Sequence, residues 1–303
     1  MIKEMIASSL NINIATINNV VTNNGRYKIY LIGKRIIKQP SKELKTLQYW
    51  LNYNIFKKYF PCSSIATAYE KGNSIKKNAK IHKNNKYILH LDIKNFFPSI
   101  TPKMLSALLN NGCINMSEED VQFILCAVLY RSIELTVGSV SAPILANRIL
   151  YNFDQELISY LNAFFGPKSY AVTRYADDIL ISCNSKIDER IIPLVSTLLK
   201  KYGFVLNDKK TYFMYSGGKR YITGVCIDNN TNELTVGTKK YREIKKLIYS
   251  YLITEFTDKD VAEKERQRVI GNLAFLKDIS PKQYLQLKRI YTRYQKNDKI
   301  LFK

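Results

Sequence analysis

The stretch Arg174-Tyr-Ala-Asp-Asp-Ile-Leu-Ile-Ser182 places two adjacent aspartates, Asp177 and Asp178, between short apolar runs. The runs at 170–175 and 178–182 predict a β-hairpin with the aspartates at its tip. A second stretch, Leu89-His-Leu-Asp-Ile-Lys-Asn-Phe-Phe97, alternates like a strand and puts Asp92 on the face that points away from the core. An isolated Asp-Asp pair in a turn is more often structural than catalytic, because turns favour aspartate. The two stretches together predict three carboxylates at one place.

Three carboxylates on adjacent strands repel one another, by about 4 kcal/mol per pair at 4 Å with an effective dielectric near 20. A cationic partner is therefore expected between Asp92, Asp177 and Asp178. Two Mg²⁺ ions about 3.5–4 Å apart would fill this role, one activating a 3′-hydroxyl and the other holding a triphosphate, which is the chemistry of nucleotidyl transfer. Side chains in separate regions, or a lysine or arginine that fills the shared space, would overturn this interpretation.

The charge of the whole chain favours a polyanionic partner. The chain has 303 residues, with Lys+Arg 47 against Asp+Glu 25, a formal net charge of +22 and a pI of about 9.6. Its 46% hydrophobic and 12% aromatic residues exclude a disordered basic tail and can form a sizeable core. A genome rich in Lys, Asn and Ile codons would also give many lysines, so the charge alone does not decide for nucleic acid.

Cysteine usage and hydropathy indicate the compartment. The five cysteines are far apart and form no C-x-x-C pair, so reduced, mostly buried thiols are expected. The longest apolar stretch, near 121–130, is too short to cross a bilayer, and the N-terminus has no long apolar core. We therefore expect a cytoplasmic protein that does not bind membranes.

The remaining pattern predicts strands interleaved with helices, followed by a basic helical tail from about Thr238, which is an α+β organisation. Ser41 and Ser117 are expected to cap helices. Pro143 is expected in the first turn of a long helix that runs toward Phe164. Further strands are predicted near 27–32, 35–38, 204–206, 211–215 and 221–227.

The two aspartate stretches resemble motifs of reverse transcriptases. Arg174-Tyr-Ala-Asp-Asp178 is similar to their Y-x-D-D signature, and Leu91-Asp-Ile-Lys-Asn-Phe-Phe97 to the strand that carries their first catalytic aspartate. The resemblance implies that Asp92, Asp177 and Asp178 are catalytic and bind two Mg²⁺ ions. It also implies a right-hand polymerase, with an N-terminal region and fingers at 1–86, a palm of antiparallel sheet and helices at 87–237 that is interrupted by finger helices, and a helical thumb at 238–303.

Phe97 lies five residues after Asp92, where reverse transcriptases place an aromatic steric gate against the sugar 2′-hydroxyl. A bulky ring at this place leaves no room for that hydroxyl, so the resemblance implies a preference for deoxynucleotides. The alternative is that one of Phe96 and Phe97 packs into the core. We expect Phe96 to be the core residue.

Further motifs narrow the resemblance to bacterial retron reverse transcriptases. Asn78-Ala-Lys-Ile-His82 is similar to their N-A-x-x-H box and Ile222-Thr-Gly224 to their V-T-G box, with Ile for Val. The family associates these boxes with the RNA that the enzyme recognises. A metal-ligand role for His82 is not expected, because His90 points elsewhere; a local hydrogen-bonding role is an alternative to an RNA contact. The implied RNA-binding residues are Asn78, His82, Thr223 and Gly224.

Two stretches resemble the parts of the family that hold the nucleotide. Arg35-Ile-Ile-Lys-Gln-Pro-Ser41 is similar to the fingers motif R-x-I-x-x-P, which implies that Arg35 and Lys38 grip the triphosphate. A charged, protected strand edge is the alternative. The stretch from Gly138 to Asn147 resembles the G-x-x-x-S-P-x-L-A-N motif, so the backbone amides of Gly138 and Ser139 are expected to support template and nucleotide. It departs from the motif at Val137 and Ala142, where many relatives have Gln and Ser.

Basic residues in the second half of the chain complete the expected machinery. Lys210, in Asn207-Asp-Lys-Lys-Thr211, matches a lysine proposed as the general acid for the pyrophosphate leaving group, with an ordinary surface lysine as the alternative. The helical tail is expected to hold a hybrid duplex through phosphates and sugar edges. Its implied RNA-binding residues are Lys239, Lys240, Arg289 and Arg293.

The resemblance also implies partners and a product. The template would be the chain's own structured noncoding RNA, of the msr-msd type, with dNTPs as substrates and an RNA 2′-hydroxyl as primer. The product would be a branched, RNA-linked single-stranded DNA, called msDNA. Antiphage defence with a separate effector protein is implied as well.

Three other interpretations stay open. The first is a reverse transcriptase of an intron, diversity-generating or abortive-infection system, against which the N-A-x-x-H box argues. The second is a palm-fold nucleotide cyclase, which would need a G-G-D/E hairpin where Tyr175-Ala176 precede the aspartates here. The third is a noncatalytic RNA-binding scaffold, against which three intact aspartates argue.

Overall fold

A computed structural model of the chain describes residues 1–23, 26–33, 35–294 and 301–302. The helices in chain order are α1 (Ile2–Leu10), α2 (Ile14–Thr22), α3 (Lys42–Leu51), α4 (Lys57–Tyr59), α5 (Ile75–His82), α6 (Phe96–Ser99), α7 (Pro102–Asn110), α8 (Glu118–Val128), α9 (Ala142–Ile149), α10 (Tyr151–Phe165), α11 (Ile191–Lys201), α12 (Gly237–Ile253), α13 (Lys259–Ile279) and α14 (Pro281–Tyr291). The strands are β1 (Tyr27–Ile32), β2 (Arg35–Pro40), β3 (Tyr87–Asp92), β4 (Tyr170–Tyr175), β5 (Asp178–Cys183), β6 (Tyr212–Tyr215), β7 (Arg220–Ile222), β8 (Val225–Ile227) and β9 (Leu234–Thr235).

Within the described residues the strands form three sheets. β1 and β2 make an antiparallel pair in which Tyr27 lies opposite Pro40 and Ile32 opposite Arg35. The second sheet has the strand order β4-β5-β3-β6, and the third has the order β7-β8-β9. β3 is buried along nearly its whole length, including Asp92 at its carboxyl end.

The described chain divides into two compact units. The first unit contains Met1–Gly72, Leu89–Ile181 and Ile187–Tyr212, and the second contains Asn73–Ile88, Ser182–Lys186 and Phe213–Lys303. Each unit has its own apolar core, as the size of the chain allows. Fully buried side chains of the first unit include Leu44, Phe56, Leu91, Phe153 and Ile181, and those of the second include Ile222, Val225, Ile248, Val269 and Leu287.

The helix caps agree with the sequence. The Ser41 hydroxyl accepts a hydrogen bond from the Leu44 amide at 3.2 Å, and the Ser117 hydroxyl accepts one from the Asp120 amide at 3.2 Å. Such caps satisfy amides that have no partner inside the helix. Four apolar residues that follow Ser41 at helical spacing are buried as well: Leu44, Leu47, Leu51 and Ile55.

Three predicted elements differ in the structure. The long helix after Pro143 breaks at Leu150 into α9 and α10, and no glycine or proline marks the break. The predicted strand 221–227 is a hairpin, since Thr223 and Gly224 have φ of 46° and 86° and form the two-residue connection between β7 and β8. The predicted strand 204–206 forms only an isolated bridge between Leu206 and Ile93.

Hydropathy and cysteines can also be compared with the sequence expectations. In the described part of the chain, none of the helices combines the length and apolar character needed to cross a membrane. The cysteines are free thiols; Cys183 is buried, Cys113 is exposed, and the others are intermediate. Free thiols were expected, but fewer of them are buried than the sequence indicated.

Candidate active site

The turn between β4 and β5 carries the two adjacent aspartates. Ala176 and Asp177 connect the strands, and Asp178 begins β5. Ala176 has a φ of 59°, a left-handed backbone that tight hairpins require. The amide of Ile93 donates to the Asp177 carbonyl oxygen at 2.9 Å, which places the end of β3 beside the turn. The predicted hairpin is confirmed, and the two predicted aspartate stretches meet.

Asp92 is buried, although strand alternation predicted it on the side away from the core. Its Oδ1 accepts a hydrogen bond from Asn207 Nδ2 at 2.7 Å, and its Oδ2 accepts one from Lys210 Nζ at 2.8 Å. The prediction was incomplete because alternation identifies the two faces of a strand but not which of them another segment covers. Asn207 is a site residue that the sequence reasoning missed.

His90 joins the site through Asp178. Its Nε2 lies 3.0 Å from Asp178 Oδ1, its Nδ1 lies 3.0 Å from the Lys210 carbonyl oxygen, and its ring stacks on Tyr212 at 4.6 Å. Burial alone would lower the pKa of His90, but the bonds to Asp178 and to the Lys210 carbonyl raise it above its ordinary value. His82 bonds Ser182 instead, so the two histidines have different partners, in line with the expectation that His90 points elsewhere.

Negative charge is concentrated around Asp177. Burial, and then the charges of Asp178 and Asp92, raise the pKa of Asp177. Conversely, the bond to Asp92 raises the pKa of the Lys210 ammonium. The site therefore has the excess of negative charge that the sequence predicted, and Lys210 supplies part of the compensating positive charge.

The carboxylates fit a divalent metal in kind, since Mg²⁺ prefers carboxylate oxygens and their mutual repulsion favours a bound cation. In the part of the chain that the structure describes, no group of three or more His, Cys, Asp and Glu side chains is arranged to hold a metal ion. Asp92 instead pairs with Lys210, the kind of neighbour that the sequence argument counted against nucleotidyl transfer. The Lys210 side chain is 59% exposed, so it is not built into the interior.

The predicted triphosphate residues Arg35 and Lys38 differ in their surroundings. Arg35 is exposed at the start of β2. Lys38 forms an ion pair with Glu134, and its ammonium lies 4.3 Å from the centre of the Tyr130 ring. Arg35 is therefore presented to solvent, whereas Lys38 is engaged within its own unit.

Gly138 and Ser139 lie in a loop that packs on β2. Gly138 has a φ of 107°, and a Cβ there would lie 2.9 Å from the Lys38 carbonyl oxygen, so glycine is required. The Ser139 amide donates to the Thr136 carbonyl oxygen at 3.2 Å, and its hydroxyl donates to Gln48 Oε1 at 3.2 Å. The sequence predicted that the Ser139 amide contacts substrate. In the structure this amide is instead used within its own loop, in the bond to Thr136.

The two phenylalanines after β3 have different environments. Phe96 is buried, with 5% of its surface exposed, while Phe97 is half-buried, and the two ring centres are 5.2 Å apart. The expectation that Phe96 is the core residue is confirmed. Phe97 is partly accessible, and its role as a steric gate stays a prediction.

The two retron-like boxes contact each other in the second unit. Asn78 and His82 are fully buried in α5. Asn78 Nδ2 donates to Thr223 Oγ1 at 3.5 Å, and His82 Nδ1 lies 2.7 Å from Ser182 Oγ. Fully buried side chains do not contact RNA while this packing holds, so the RNA contact expected of Asn78 and His82 is corrected. Thr223 is half-buried and Gly224 exposed, so the turn between β7 and β8 is the accessible part of the boxes.

The basic residues predicted on the helical tail are accessible. Lys239 is exposed and Lys240 half-buried near the start of α12. Arg289 is exposed on α14, and Arg293 is exposed with its guanidinium 5.8 Å from the centre of the Tyr294 ring. Residues 295–300 and 303 of the predicted thumb lie outside the described residues.

The burial of His82 predicts a pH dependence of stability. Burial lowers the pKa of His82 to about 4, from an ordinary value of 6.5, so the unfolded chain binds the proton more readily. The stability that neutral His82 contributes to the folded state is present above pH 6.5 and is lost as the pH falls toward 4. Between pH 7 and pH 5 we expect a loss of about 2 kcal/mol in the free energy of unfolding, measured with denaturant.

The variant His82→Asn isolates this effect. We expect it to remove about 2 kcal/mol of the difference between pH 7 and pH 5, whatever it costs at pH 7. His90 is the other histidine in the sequence and stays in both proteins, so its contribution cancels. An identical pH dependence in the two proteins would show that His82 titrates normally in the folded state.

The chain belongs to the reverse transcriptase (RNA-dependent DNA polymerase) family, which matches residues 25–256. Within this class it belongs with the bacterial retron enzymes. It is 30% identical over 290 residues to the retron Ec86 reverse transcriptase of Escherichia coli, covering 92% of this chain and 85% of that relative. It is 31% identical over 271 residues to the retron Ec73 reverse transcriptase of the same organism, covering 86% and 83%.

A solved structure supports the fold independently. The foamy viral protease-reverse transcriptase in complex with double-stranded DNA aligns with a TM-score of 0.50 at 14% identity, over 88% of this chain and 38% of that one. The predicted α+β, right-hand polymerase fold is confirmed, and the chain is an RNA-directed DNA polymerase. The boundaries assigned to fingers, palm and thumb stay predictions. The Lys210–Asp92 pair does not overturn the class, since the family assignment rests on most of the chain.

Proposed function

We propose that this chain reverse transcribes its own structured noncoding RNA, of the msr-msd type, from an RNA 2′-hydroxyl. The product is msDNA, a branched and RNA-linked single-stranded DNA, used in antiphage defence with a separate effector protein. The observation that supports the catalytic part is the meeting of Asp92 with the Asp177–Asp178 turn in a chain of the retron family. The retron relatives support the choice of RNA and product.

Asp92, Asp177 and Asp178 would hold two Mg²⁺ ions. Bound there, the ions would activate the attacking hydroxyl and neutralise the triphosphate. Asn207 donates to Asp92 and His90 bonds Asp178, so both carboxylates are oriented by neighbours of the same unit. Ligands held in this way keep their geometry when the substrate arrives.

Other residues of the first unit would handle the nucleotide. Arg35 would bind the triphosphate, because a guanidinium suits phosphate oxygens and this one is exposed. Lys210 would protonate the pyrophosphate as it leaves, since its ammonium lies 2.8 Å from Asp92. Phe97 would exclude the 2′-hydroxyl of a ribonucleotide.

The second unit would bind RNA through its exposed residues. Lys239, Lys240, Arg289 and Arg293 would neutralise phosphates, while the turn at Thr223 and Gly224 would touch the RNA. Binding through phosphates releases counterions, so the affinity should fall steeply with salt. Asn78 and His82 would support this surface from the interior.

The nucleic acid bound to the protein purified from its native host tests the proposal. We expect DNA joined covalently to RNA, so that ribonuclease shortens the species by a defined RNA segment and deoxyribonuclease removes the rest. A host strain with the RNA locus deleted is the control and should yield protein without this species. Protein that carries only RNA, or none, when the locus is intact would contradict the proposed product.

Phe97→Ala tests the steric gate. The shortened side chain makes room for a 2′-hydroxyl, so the preference for dNTPs over rNTPs should fall about tenfold or more in primer extension on an RNA template. Phe96→Leu is the matched control, since Phe96 is buried and should lower thermal stability while leaving sugar selectivity unchanged. Unaltered selectivity in Phe97→Ala would reject the role.

A further inference from the structure

The side chain of Arg174 is fully buried at the turn that carries the aspartates. Its Nε and Nη2 donate to the two carboxylate oxygens of Asp154 at 2.8 and 2.7 Å. Its Nη1 donates to Asn147 Oδ1 at 3.1 Å and to the Ala176 carbonyl oxygen at 3.3 Å. One guanidinium therefore connects α9, α10 and the backbone of the turn.

The backbone of Arg174 is fixed as well. Its amide donates to the Ile65 carbonyl oxygen at 2.7 Å, and its carbonyl oxygen accepts from the Thr67 amide at 2.8 Å. Asn147, which receives the guanidinium, donates in turn to the Ala68 carbonyl oxygen at 2.9 Å. Arg174 is thus held by the buried segment that contains Ile65, Thr67 and Ala68, as well as by its own strand.

The bonds to the turn enclose Asp177. The peptide before Asp177 presents the Ala176 carbonyl oxygen to Arg174, and the peptide after it presents the Asp177 carbonyl oxygen to the Ile93 amide. Holding the peptides on both sides of one α-carbon fixes the direction of its Cα–Cβ bond, from which the carboxylate extends. Arg174 and Ile93 together therefore fix the backbone position from which the Asp177 carboxylate extends.

Stability alone does not account for this ion pair. Desolvation of two charges offsets most of their attraction, and apolar residues of similar volume are often as stabilising. Asp154 and Arg174 both have fully buried side chains, so this cost is large here. What an apolar pair could not supply is a donor for the Ala176 carbonyl.

We propose that Arg174 is a positioning residue for catalysis, which holds the turn so that Asp177 faces Asp92. The proposal rests on the proposed role of Asp177 in nucleotidyl transfer. Arg174 itself touches no substrate; it acts through the backbone of the turn. Asp154 and Asn147 hold its guanidinium in place.

Arg174→Lys tests the proposal. The lysine keeps a positive charge for Asp154 but cannot also reach Asn147 and Ala176 in the planar geometry of a guanidinium. We expect kcat per folded molecule to fall about 10- to 100-fold in primer extension on a generic RNA template, with the KM for dNTP within about twofold. Mn²⁺ affinity, measured by electron paramagnetic resonance without nucleic acid, should fall about fivefold or more, because a displaced carboxylate is a weaker ligand.

Arg148→Lys is the matched control. Arg148 is the next residue after Asn147 on α9, is buried, and pairs with Glu70 at 2.8 Å and with the Phe56 carbonyl oxygen. It should lower the melting temperature by an amount similar to Arg174→Lys, while kcat per folded molecule and Mn²⁺ affinity stay within about twofold. This comparison separates positioning from general stabilisation.

The outcomes distinguish a positioning role of Arg174 from a role in stability alone. If Arg174→Lys and Arg148→Lys behave alike per folded molecule, the positioning role is overturned. If Arg174→Lys does not fold, Asn147→Ala keeps the Arg174–Asp154 pair and should still lower Mn²⁺ affinity about threefold; unchanged affinity would overturn the proposal. If the unchanged protein makes no DNA, the proposed function fails, and Mn²⁺ affinity of the same variants still decides the role of Arg174.

Discussion

Replacing Asp177 and Asp178 together with asparagine is expected to abolish DNA synthesis, with a loss of a thousandfold or more in kcat. Such a loss corresponds to about 4 kcal/mol or more of transition-state stabilisation. Asparagine keeps the shape of the side chains but removes the charges that would hold divalent cations. The measurement is single-turnover extension of a primer on an RNA template.

The fold should survive this double substitution. Burial and the neighbouring carboxylates raise the pKa of Asp177, so its ionised form is unfavourable in the folded state. Removing that charge should leave the free energy of unfolding unchanged or slightly higher. Asp208→Asn, at an exposed aspartate of the same unit, is the control and should keep full activity. DNA synthesis by the double variant would contradict the assignment of Asp177 and Asp178 as catalytic residues.

Lys210→Ala is expected to lower kcat about 100-fold, the lower range for a lost general acid. The KM for dNTP should change little, because the proposed role is in the departure of pyrophosphate and not in binding. Lys209→Ala is the matched control, since Lys209 is the neighbouring exposed lysine of the same short helical turn. Full activity is expected there.

Lys210→Arg separates proton donation from charge. An arginine can still bond Asp92, but it stays protonated at any pH of the assay and is a poor acid. We therefore expect it to be as slow as Lys210→Ala. If Lys210→Arg restores the rate instead, the ammonium serves only as a positive partner of Asp92, and the general-acid proposal is wrong.

Sequence patterns predicted the centre of the site because its elements are local. A two-residue hairpin with flanking apolar runs fixes Asp177 and Asp178, and strand alternation fixes β3. The same alternation puts His90 and Asp92, two residues apart in one strand, on the same face, which places His90 near the aspartates. Asn207 lies three residues before Lys210, and both side chains donate to Asp92, so the contact of Lys210 also brings Asn207 to the site.

Other features depend on tertiary contacts that periodicity does not report. The break at Leu150 has neither glycine nor proline, so no residue type marks it in the sequence. Burial of Asp92 depends on the segment that brings Asn207 and Lys210 over it. The engagement of Lys38 with Glu134 joins residues nearly a hundred positions apart.

The contact between Asn78 and Thr223 has a consequence for exchanging RNA preference between relatives. A chimera that exchanges only the residues of the two boxes would change buried contacts, because Asn78 and His82 face other protein groups. Such a swap should cost folding yield before it redirects the enzyme to another transcript. Libraries meant to test the proposed RNA-binding surface are better built on the solvent-facing neighbours, beginning with Gly224 and the first turn of α12.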